Sequence, residues 1–387
     1  MKFGILDEWF LRIPSVLFGI LTVWLVFKLA DEFFGKKAAL LSSFFLAISQ
    51  FHIYYSQELR MYSLLCLLSV LSIWTFHKKN WVIHSIANSL GFYTNYMFPF
   101  ILIPQIIWIY KDRAEMKKWF LSVIFTVISF TPWIPIFIKQ LEAGRNINIF
   151  LPEWKDLSSL PFWKLIPQIF IKFSFGRISF DDKYFYSLLF LVLLCIYGYI
   201  FLHLKKKINR KILFMLNWFL APFLGTVLVS LIIPIANVWR LIFLLPPFLI
   251  IVSYLVTSIK YSKIIISLLV ISFLIADVLY WLYPKYQREK WREAVSFLEE
   301  RNVPITFTAE GGFAPYIWYK MKRTSICGPQ TVETCLEKGK VFYVSYLKDL
   351  FDKNNVIEEK MAEKKWRLVE VKNFEGVGFI YYYENYN

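Results

Sequence analysis

The sequence predicts an all-α polytopic membrane domain of about ten transmembrane helices, followed by a small soluble α/β domain. Of the 387 residues, 57% are hydrophobic and 20% are aromatic, whereas only 19% are charged. In typical soluble domains roughly a quarter of the residues are charged. The mean hydropathy of this chain is +0.49. This composition argues against a cytosolic globular protein. It also argues against a disordered chain, because disorder requires low hydrophobicity.

The distribution of charge predicts how the chain is oriented in the membrane. Residues 1–283 contain 27 Lys and Arg against 13 Asp and Glu, and residues 284–387 contain 17 against 15. In the first part the basic residues are concentrated in every second loop between apolar runs. Loops on the cytoplasmic side of a membrane carry such an excess of Lys and Arg. A nucleic-acid-binding protein would carry a contiguous basic patch instead. The net charge of +16 therefore indicates membrane topology and no nucleic-acid partner.

Ten apolar segments within residues 1–283 are candidates for crossing a bilayer, which takes about 20 residues. They lie at 10–30, 38–55, 59–77, 80–93, 97–111, 118–138, 184–204, 212–234, 240–258 and 263–283. The basic breaks place the N-terminus outside, together with the loop 139–183. Within that loop, residues 160–166 are expected to lie along the membrane interface, either as a gate for substrate or as a structural plug.

From residue 284 the composition becomes that of an ordinary soluble domain. A helix is predicted where Trp291, Val295 and Leu298 recur at helical spacing, and another near 349–362. Strands are predicted at 305–309, 341–346, 368–371 and 378–383. The even number of preceding spans puts this domain outside the membrane. A disulfide between its two cysteines, Cys327 and Cys335, is allowed there, but their spacing alone does not decide it.

Polar side chains at the outer ends of the helices are the candidate site residues, because charge near a bilayer is costly. Three groups share this face: Asp7, Glu8 and Arg12 before the first span, residues 55–62 after the second, and residues 237–240 before the ninth. Such residues also snorkel or pair simply to fix helix register. Their coincidence on one face favours a site. Within the second group, Glu58 and Tyr62 share one side of a helix if the third span has begun by Glu58.

Several of these segments resemble a known family. They are 11–19 (LRIPSVLFG), 34–41 (FGKKAALL) and 54–62 (YYSQELRMY), followed in matching order by 91–96, 239–240 with Pro246, and 291–294. As a group they are similar to the polyprenyl-phosphate-sugar glycosyltransferases of GT-C fold. That family, glycosyltransferase family 39-like, includes the protein O-mannosyltransferases and the aminoarabinose transferase of lipid A. The resemblance covers nearly the whole chain.

The resemblance implies an enzyme that transfers a sugar from a polyprenyl-phosphate donor to an acceptor outside the plasma membrane. It implies an acidic residue that deprotonates the acceptor, and cationic groups that bind the phosphate. No cofactor is expected to be required, although a divalent cation could take part. The candidate residues are Asp7 and Glu8 for catalysis; Glu58, Arg60, Tyr62 and Arg240 for the donor and its phosphate; and Tyr55, Gln57, Asn95 and Tyr96 for the substrate cavity.

The chain departs from the family pattern at its start. Members carry a further helix and an acidic outer loop before the Arg-x-Pro-Ser segment, which here begins at Arg12, so a truncated start or a degenerate member is expected. Two alternatives to an active enzyme therefore stay open: a non-catalytic member that binds polyprenyl phosphate or a partner, and a transporter. The sequence disfavours a transporter, because it has no evident inverted repeat. The sugar and the acceptor, whether protein, lipid or glycan, stay open.

Overall fold

The computed structural model describes residues 8–150, 158–309, 313–320 and 324–385. The chain divides into two compact units, with the main boundary between Tyr280 and Trp281. Among the described residues, all strands lie in the second unit, and the first unit is helical.

The helices of the first unit follow the apolar segments of the sequence. In chain order, those described are α1 (Glu8–Phe34), α2 (Lys36–Ala47), α3 (Gln50–Ser56), α4 (Tyr62–His77), α5 (Trp81–Thr94), α6 (Leu102–Ile109), α7 (Arg113–Phe130), α8 (Ile134–Phe150), α9 (Phe162–Phe175), α10 (Lys183–Leu202), α11 (Arg210–Ser230), α12 (Leu245–Val256) and α13 (Ser262–Leu282). Short 3₁₀ helices at Phe98–Ile101, Thr131–Trp133 and Val238–Leu244 lead into α6, α8 and α12. Each of the ten predicted spans overlaps one or more of these helices.

Six helical runs in the described part of the chain are long and apolar enough to cross a membrane, or seven if one bent pair is counted. They are Glu8–Phe34, Arg113–Asn146, Lys183–Lys206, Arg210–Ser230, Val238–Val256 and Ser262–Leu282. The bent pair is α2 and α3, which meet at 60°, and α4 is a shorter apolar helix. The protein is therefore a multi-pass membrane protein, and the predicted fold class is confirmed.

The burial of these runs shows which of them is central. Within the most apolar window, 83% of Val238–Val256 is buried, against 11% of Arg113–Asn146 and 17% of Lys183–Lys206. Many exposed positions of the two outer runs are apolar, as at Ile128 and Leu188. Lipid tails tolerate such side chains, whereas water penalises them. Val238–Val256 is therefore the core of the unit, and the outer runs present lipid-compatible faces.

The break between α2 and α3 has a local cause. Ser49 precedes α3, and its hydroxyl accepts a hydrogen bond from the backbone N–H of His52 at 3.5 Å, which begins a new helix. Helix α3 then packs closely on α1, because Gly19 has no side chain: a Cβ there would lie 2.3 Å from Ser56 Oγ. Small residues allow such close approach of helices within a membrane.

A buried polar network joins α4, α5, α6 and α7. The ring of His84 contacts Ser122 Oγ at 2.7 Å through Nδ1 and Gln105 Oε1 at 2.9 Å through Nε2. Gln105 also donates to Ser72 Oγ at 2.9 Å and accepts from Trp119 Nε1 at 2.9 Å. These bonds satisfy polar groups that would otherwise be costly among apolar helices. The network therefore indicates a packing role for His84.

The second unit is a five-stranded mixed sheet with helices on both faces. The strands are β1 (Ile305–Phe307), β2 (Ile326–Cys327), β3 (Lys340–Val344), β4 (Arg367–Phe374) and β5 (Gly378–Glu384), in the order β2-β1-β3-β5-β4. Strand β1 pairs in parallel with β2 and β3, and β5 pairs antiparallel with β3 and β4. The described helices are α14 (Trp291–Glu299), α15 (Phe313–Tyr319), α16 (Val332–Leu336), α17 (Lys348–Phe351) and α18 (Val356–Glu363).

Two details of this unit differ from the sequence prediction. The helix predicted near 349–362 is two helices, because Asn355 between them adopts a left-handed conformation with φ 54°, and Asp352 Oδ1 accepts the backbone N–H of Val356 at 2.7 Å. Strand β2 was not predicted. It carries Cys327, which forms a disulfide with Cys335 of α16 across a Cα–Cα distance of 6.3 Å. The structure thus decides a pairing that the spacing left open.

Candidate functional site

The segment 54–62 forms the end of α3, a turn, and the start of α4. Helix α3 ends at Ser56 and α4 begins at Tyr62, so Glu58 lies in the turn and does not share a helix with Tyr62. Tyr55 and Tyr62 bracket the turn and are only 3% and 4% exposed. Their rings pack edge to face with centroids 4.9 Å apart. This contact joins the two ends of the turn.

The turn is tied to α1 through Ser15. The Ser15 hydroxyl donates to the carbonyl of Glu58 at 2.8 Å, and the Ser63 hydroxyl donates to the carbonyl of Ser15 at 2.7 Å. One carboxylate oxygen of Glu58 lies 3.6 Å from Arg60 Nε. Its other oxygen is buried and has no hydrogen-bond partner among the described residues. Glu58 is therefore fixed in the turn, and one of its carboxylate oxygens accepts no hydrogen bond from the described residues.

Two arginines, Arg60 and Arg240, lie near the Tyr62 side chain. The charge of Arg60 lies within electrostatic range of Tyr62, and its side chain is 65% exposed. Arg240 lies in the 3₁₀ helix Val238–Leu244, within electrostatic range of both Tyr62 and Arg60, and its Nη1 donates to the carbonyl of Pro234 at 3.4 Å. The structure thus brings together Arg60, Tyr62 and Arg240, which come from two distant segments of the sequence.

Tyr55 also lines a cavity of about 440 Å³. Its walls come from α3, from α9 and the chain that follows it, from α10, and from the segment just before Arg240. The lining residues are Phe51, Tyr55, Leu160, Gln168, Lys172, Arg177, Ser179, Phe180, Tyr186, Asn237, Val238 and Trp239. The cavity therefore adjoins the Arg60–Tyr62–Arg240 group, through Tyr55, whose ring contacts Tyr62, and through Trp239, which precedes Arg240.

Lys172 is the more buried of the two cations in the cavity wall. Its Nζ donates to the carbonyl of Ile178 at 3.0 Å and to Ser179 Oγ at 2.7 Å. Burial and, to a lesser extent, the nearby charge of Arg177 lower the pKa of the Lys172 ammonium to about 8. The cavity thus holds an ammonium group that is easily neutralised.

Arg177 is the more exposed cation and is held by α3. Its Nη1 donates to the Tyr54 hydroxyl at 2.9 Å, and its guanidinium carbon lies 4.6 Å from the centre of the Tyr54 ring. Its backbone N–H donates to Gln50 Oε1 at 2.6 Å. Stacking on an aromatic face and a fixed backbone suit an arginine that must present its remaining donors to a ligand.

Sequence reasoning did not single out Lys172 or Arg177. Within the loop 139–183, residues 160–166 were expected to act as a gate or a plug, and α9 overlaps this apolar stretch. A signal was nevertheless present, because Lys172 and Arg177 lie in a loop that the charge pattern predicts to be outside, where basic residues are less frequent than in cytoplasmic loops.

Three of the predicted cavity residues lie elsewhere. Gln57 accepts a hydrogen bond from the Tyr280 hydroxyl at 3.3 Å. Asn95 Oδ1 accepts the backbone N–H of Met97 at 2.8 Å. Tyr96 donates to Gln140 Oε1 at 2.5 Å and accepts from Trp133 Nε1 at 2.9 Å, so it faces α8 and not the cavity lined by Tyr55.

The predicted catalytic acids lie at the start of α1. Glu8 is the first residue of that helix, and its Oε2 lies 2.8 Å from Arg12 Nη2. Asp7 lies outside the described residues. Among the described residues no group of three or more His, Cys, Asp and Glu side chains is arranged to hold a metal ion, so the divalent cation stays a prediction without an assigned site.

Comparison with known proteins finds a family match over part of the chain and a similar fold over nearly all of it. Residues 3–138 match the family described as dolichyl-phosphate-mannose-protein mannosyltransferase. No curated protein matches the sequence.

Two solved structures of ArnT from Cupriavidus metallidurans are similar to this chain. The apo structure has a TM-score of 0.55 at 9% identity, and covers 96% of this chain and 83% of its own. The structure bound to undecaprenyl phosphate has a TM-score of 0.59 at 10% identity, and covers 97% and 84%. At such low identity the likeness shows the fold, and the expected resemblance to GT-C glycosyltransferases is confirmed.

Proposed function

We propose that this protein, which has the fold of the GT-C glycosyltransferase ArnT and a mannosyltransferase-family segment at residues 3–138, transfers a sugar from a polyprenyl-phosphate donor to an acceptor outside the plasma membrane. The observation that carries the proposal is the cavity that Lys172 and Arg177 both line. Support also comes from the solved ArnT structure that holds undecaprenyl phosphate.

The chemistry of such a transfer requires cations at the donor phosphate. The acceptor oxygen or nitrogen bonds to the anomeric carbon, the bond from that carbon to the phosphate oxygen breaks, and negative charge gathers on the departing phosphate. Fixed cationic groups in a partly buried site stabilise this charge. We assign the phosphate to Lys172 and Arg177, with Arg60 and Arg240, both near Tyr62, as a second pair. Arginine can bind phosphate through two parallel hydrogen bonds.

The acceptor must lose a proton as it attacks, and a carboxylate is a suitable base. We assign this role to Asp7 or Glu8. Arg12 contacts the Glu8 carboxylate at 2.8 Å and orients it. Variants at these two acids are expected to lower turnover while leaving donor binding intact, because the base acts on the acceptor and not on the phosphate.

We also propose that the second unit lies outside the membrane. The basic breaks between spans support this orientation. The disulfide between Cys327 and Cys335 supports it as well, because disulfides persist in oxidising compartments and are rare in the cytosol.

The proposal is tested by following release of polyprenyl phosphate from a labelled polyprenyl-phosphate sugar, with the protein in nanodiscs and a cell-envelope extract as acceptor. Mannose and aminoarabinose donors are compared in parallel, with and without a chelator. The wild type is expected to release polyprenyl phosphate in both conditions, and Lys172→Met and Arg177→Met to lose most of the turnover. Lys205→Met, at an exposed lysine of a predicted cytoplasmic loop, is the matched control and is expected to retain it.

Other outcomes distinguish the alternatives. Binding of polyprenyl phosphate without release would indicate a non-catalytic family member. Movement of the intact donor across a liposome membrane would indicate a transporter. Turnover lost only with the chelator would indicate a divalent cation. A wild type that neither binds polyprenyl phosphate nor releases it would contradict the proposal.

A further inference from the structure

A fully buried glutamine lies directly behind Arg177. Gln50 is the first residue of α3 and is 0% exposed, and its Oε1 accepts the backbone N–H of Arg177 at 2.6 Å. One helical turn later, the Tyr54 hydroxyl accepts a hydrogen bond from the guanidinium of the same arginine at 2.9 Å. Residues four apart share one face of a helix. One face of α3 therefore holds both the backbone and the side chain of Arg177.

The chain approaches Gln50 this closely because residue 176 is glycine. Gly176 follows α9 with φ 59° and ψ −141°, a conformation that residues with a side chain rarely adopt. A Cβ at this position would lie 1.6 Å from Gln50 Oε1. The hydrogen bond from the Arg177 backbone to the buried Gln50 amide therefore requires a glycine at position 176.

We propose that Gln50 is a positioning residue for the donor phosphate: it holds the chain at Gly176 and Arg177 so that the guanidinium stands in the cavity beside Lys172. The inference rests on the proposed function, because it takes an anionic lipid phosphate to bind between these two cations. Gln50 acts through Arg177, since its acceptor oxygen is occupied by the backbone of that residue.

The position of Arg177 also affects the charge state of Lys172. Its charge contributes, after burial, to the lowered pKa of Lys172. When Arg177 moves away, the pKa of Lys172 rises, so lipid binding weakens but extends to higher pH. A general loosening of the cavity would raise this pKa as well, because burial is the larger cause of its lowering; that shift would also occur in the background of Arg177→Met, whereas a shift that depends on Arg177 would not. The other titratable side chains that line the cavity are Tyr55 on α3 and Tyr186 on α10.

The test measures binding of undecaprenyl phosphate to the full chain in nanodiscs from pH 7 to pH 9.5. Gln50→Met removes the acceptor and keeps the length of the side chain. We expect it to weaken binding about tenfold and to shift the pH midpoint upward from that of the wild type. Gln105→Met, at a buried glutamine of the network joining α4 to α7, is the matched control. It is expected to leave the affinity and the midpoint unchanged.

A double-variant cycle tests whether Gln50 acts through Arg177. In the background of Arg177→Met, the Gln50→Met change is expected to cause no further loss of affinity. Losses that add in full would overturn the proposal, as would an unshifted pH midpoint in the single variant.

Hydrogen exchange at the Arg177 amide examines the same contact without lipid. Exchange is expected to be faster in Gln50→Met and unchanged in Gln105→Met. A wild type that does not bind the lipid would contradict the proposed function, and in that case the exchange rates still decide whether Gln50 holds Arg177. Unchanged exchange in Gln50→Met would overturn the inference whatever the lipid result.

Discussion

Lys172 and Arg177 present two positive groups to one cavity from the end of α9 and the chain that follows it. The ammonium is held by Ile178 and Ser179, and the guanidinium by the Tyr54 hydroxyl and ring. Like charges at close range disfavour one another, so both side chains keep these positions against their mutual repulsion. An anionic ligand between them would relieve that repulsion, which is the physical reason to regard the cavity as a phosphate site.

Binding of polyprenyl phosphate is expected to weaken above about pH 8. The pKa of Lys172 is lowered to about 8, mainly by burial and further by Arg177. Below that pH the empty cavity already carries the ammonium charge. Above it the group is neutral, and binding must take up a proton, which costs up to about tenfold in affinity per pH unit. Titration of the lipid into the protein from pH 7 to pH 9.5 measures this, because a phosphate monoester is doubly ionised over most of that range.

The matching control is Lys172→Arg, which stays charged throughout the range. Its binding profile is expected to be flat above pH 8. A wild-type affinity that does not change between pH 7 and pH 9.5 would show that Lys172 does not meet the phosphate.

Removing either arginine near Tyr62 is expected to slow sugar transfer. Arg60→Ala and Arg240→Ala each remove a charged donor from the Tyr62 surroundings, and hydrogen bonds to charged groups contribute about 1.5–3 kcal/mol. We expect a loss of about 10- to 100-fold in kcat/KM. Release of polyprenyl phosphate measures it, with Lys205→Met as the control. Wild-type rates in both arginine variants would remove these residues from the donor site.

A methyl group at residue 176 is expected to disrupt the donor cavity. In Gly176→Ala the new Cβ would clash with Gln50 Oε1, and the backbone would be strained as well. We expect a lower apparent melting temperature and weaker lipid binding, from a cost of about 1–3 kcal/mol. Gly198→Ala is the control, because no atom lies within 4 Å of its added Cβ. Equal melting temperatures and affinities in the two variants would argue against a tight contact at 176.

Loss of the disulfide is expected to loosen the second unit. Cys327 and Cys335 are separated by eight positions, and closing a loop of that size stabilises by about 2.5 kcal/mol in the chain-entropy model. In the variant Cys327→Ser with Cys335→Ser, hydrogen exchange in β1 and β3 of the full chain is expected to accelerate. Cys195→Ser, at an exposed free cysteine, is expected to leave that exchange unchanged. Protection equal to wild type in the double variant would show that the bridge is not needed for the fold.

Much of the fold could be predicted because it follows from local patterns. Apolar runs predicted helices, and each of the ten predicted segments overlaps one. Alternating residues and turn signals predicted four of the strands. The short strand β2 (Ile326–Cys327) was missed, because two residues are too few to show an alternating pattern. The position of the break between α2 and α3 depends on one serine cap at Ser49.

The candidate site could be predicted only in part. The Tyr55–Tyr62 segment and Arg240 were recognised from their polar residues at helix ends, and the structure brings them together. Asn95 and Tyr96 were expected in the cavity, but Tyr96 bonds to residues of α8 and the turn before it. Lys172 was missed, because its role depends on how α9 packs against α3.

By itself, the sequence determined that this is a multi-pass membrane protein with a small α/β unit, because hydrophobic runs, alternation and charge placement are properties of neighbouring residues. Only the tertiary structure decided that Gln50 and Arg177, which are 127 positions apart, share a hydrogen bond and that Arg177 stands beside Lys172. Such contacts arise from the packing of one helix on another, with Gly176 removing the one side chain that would prevent it.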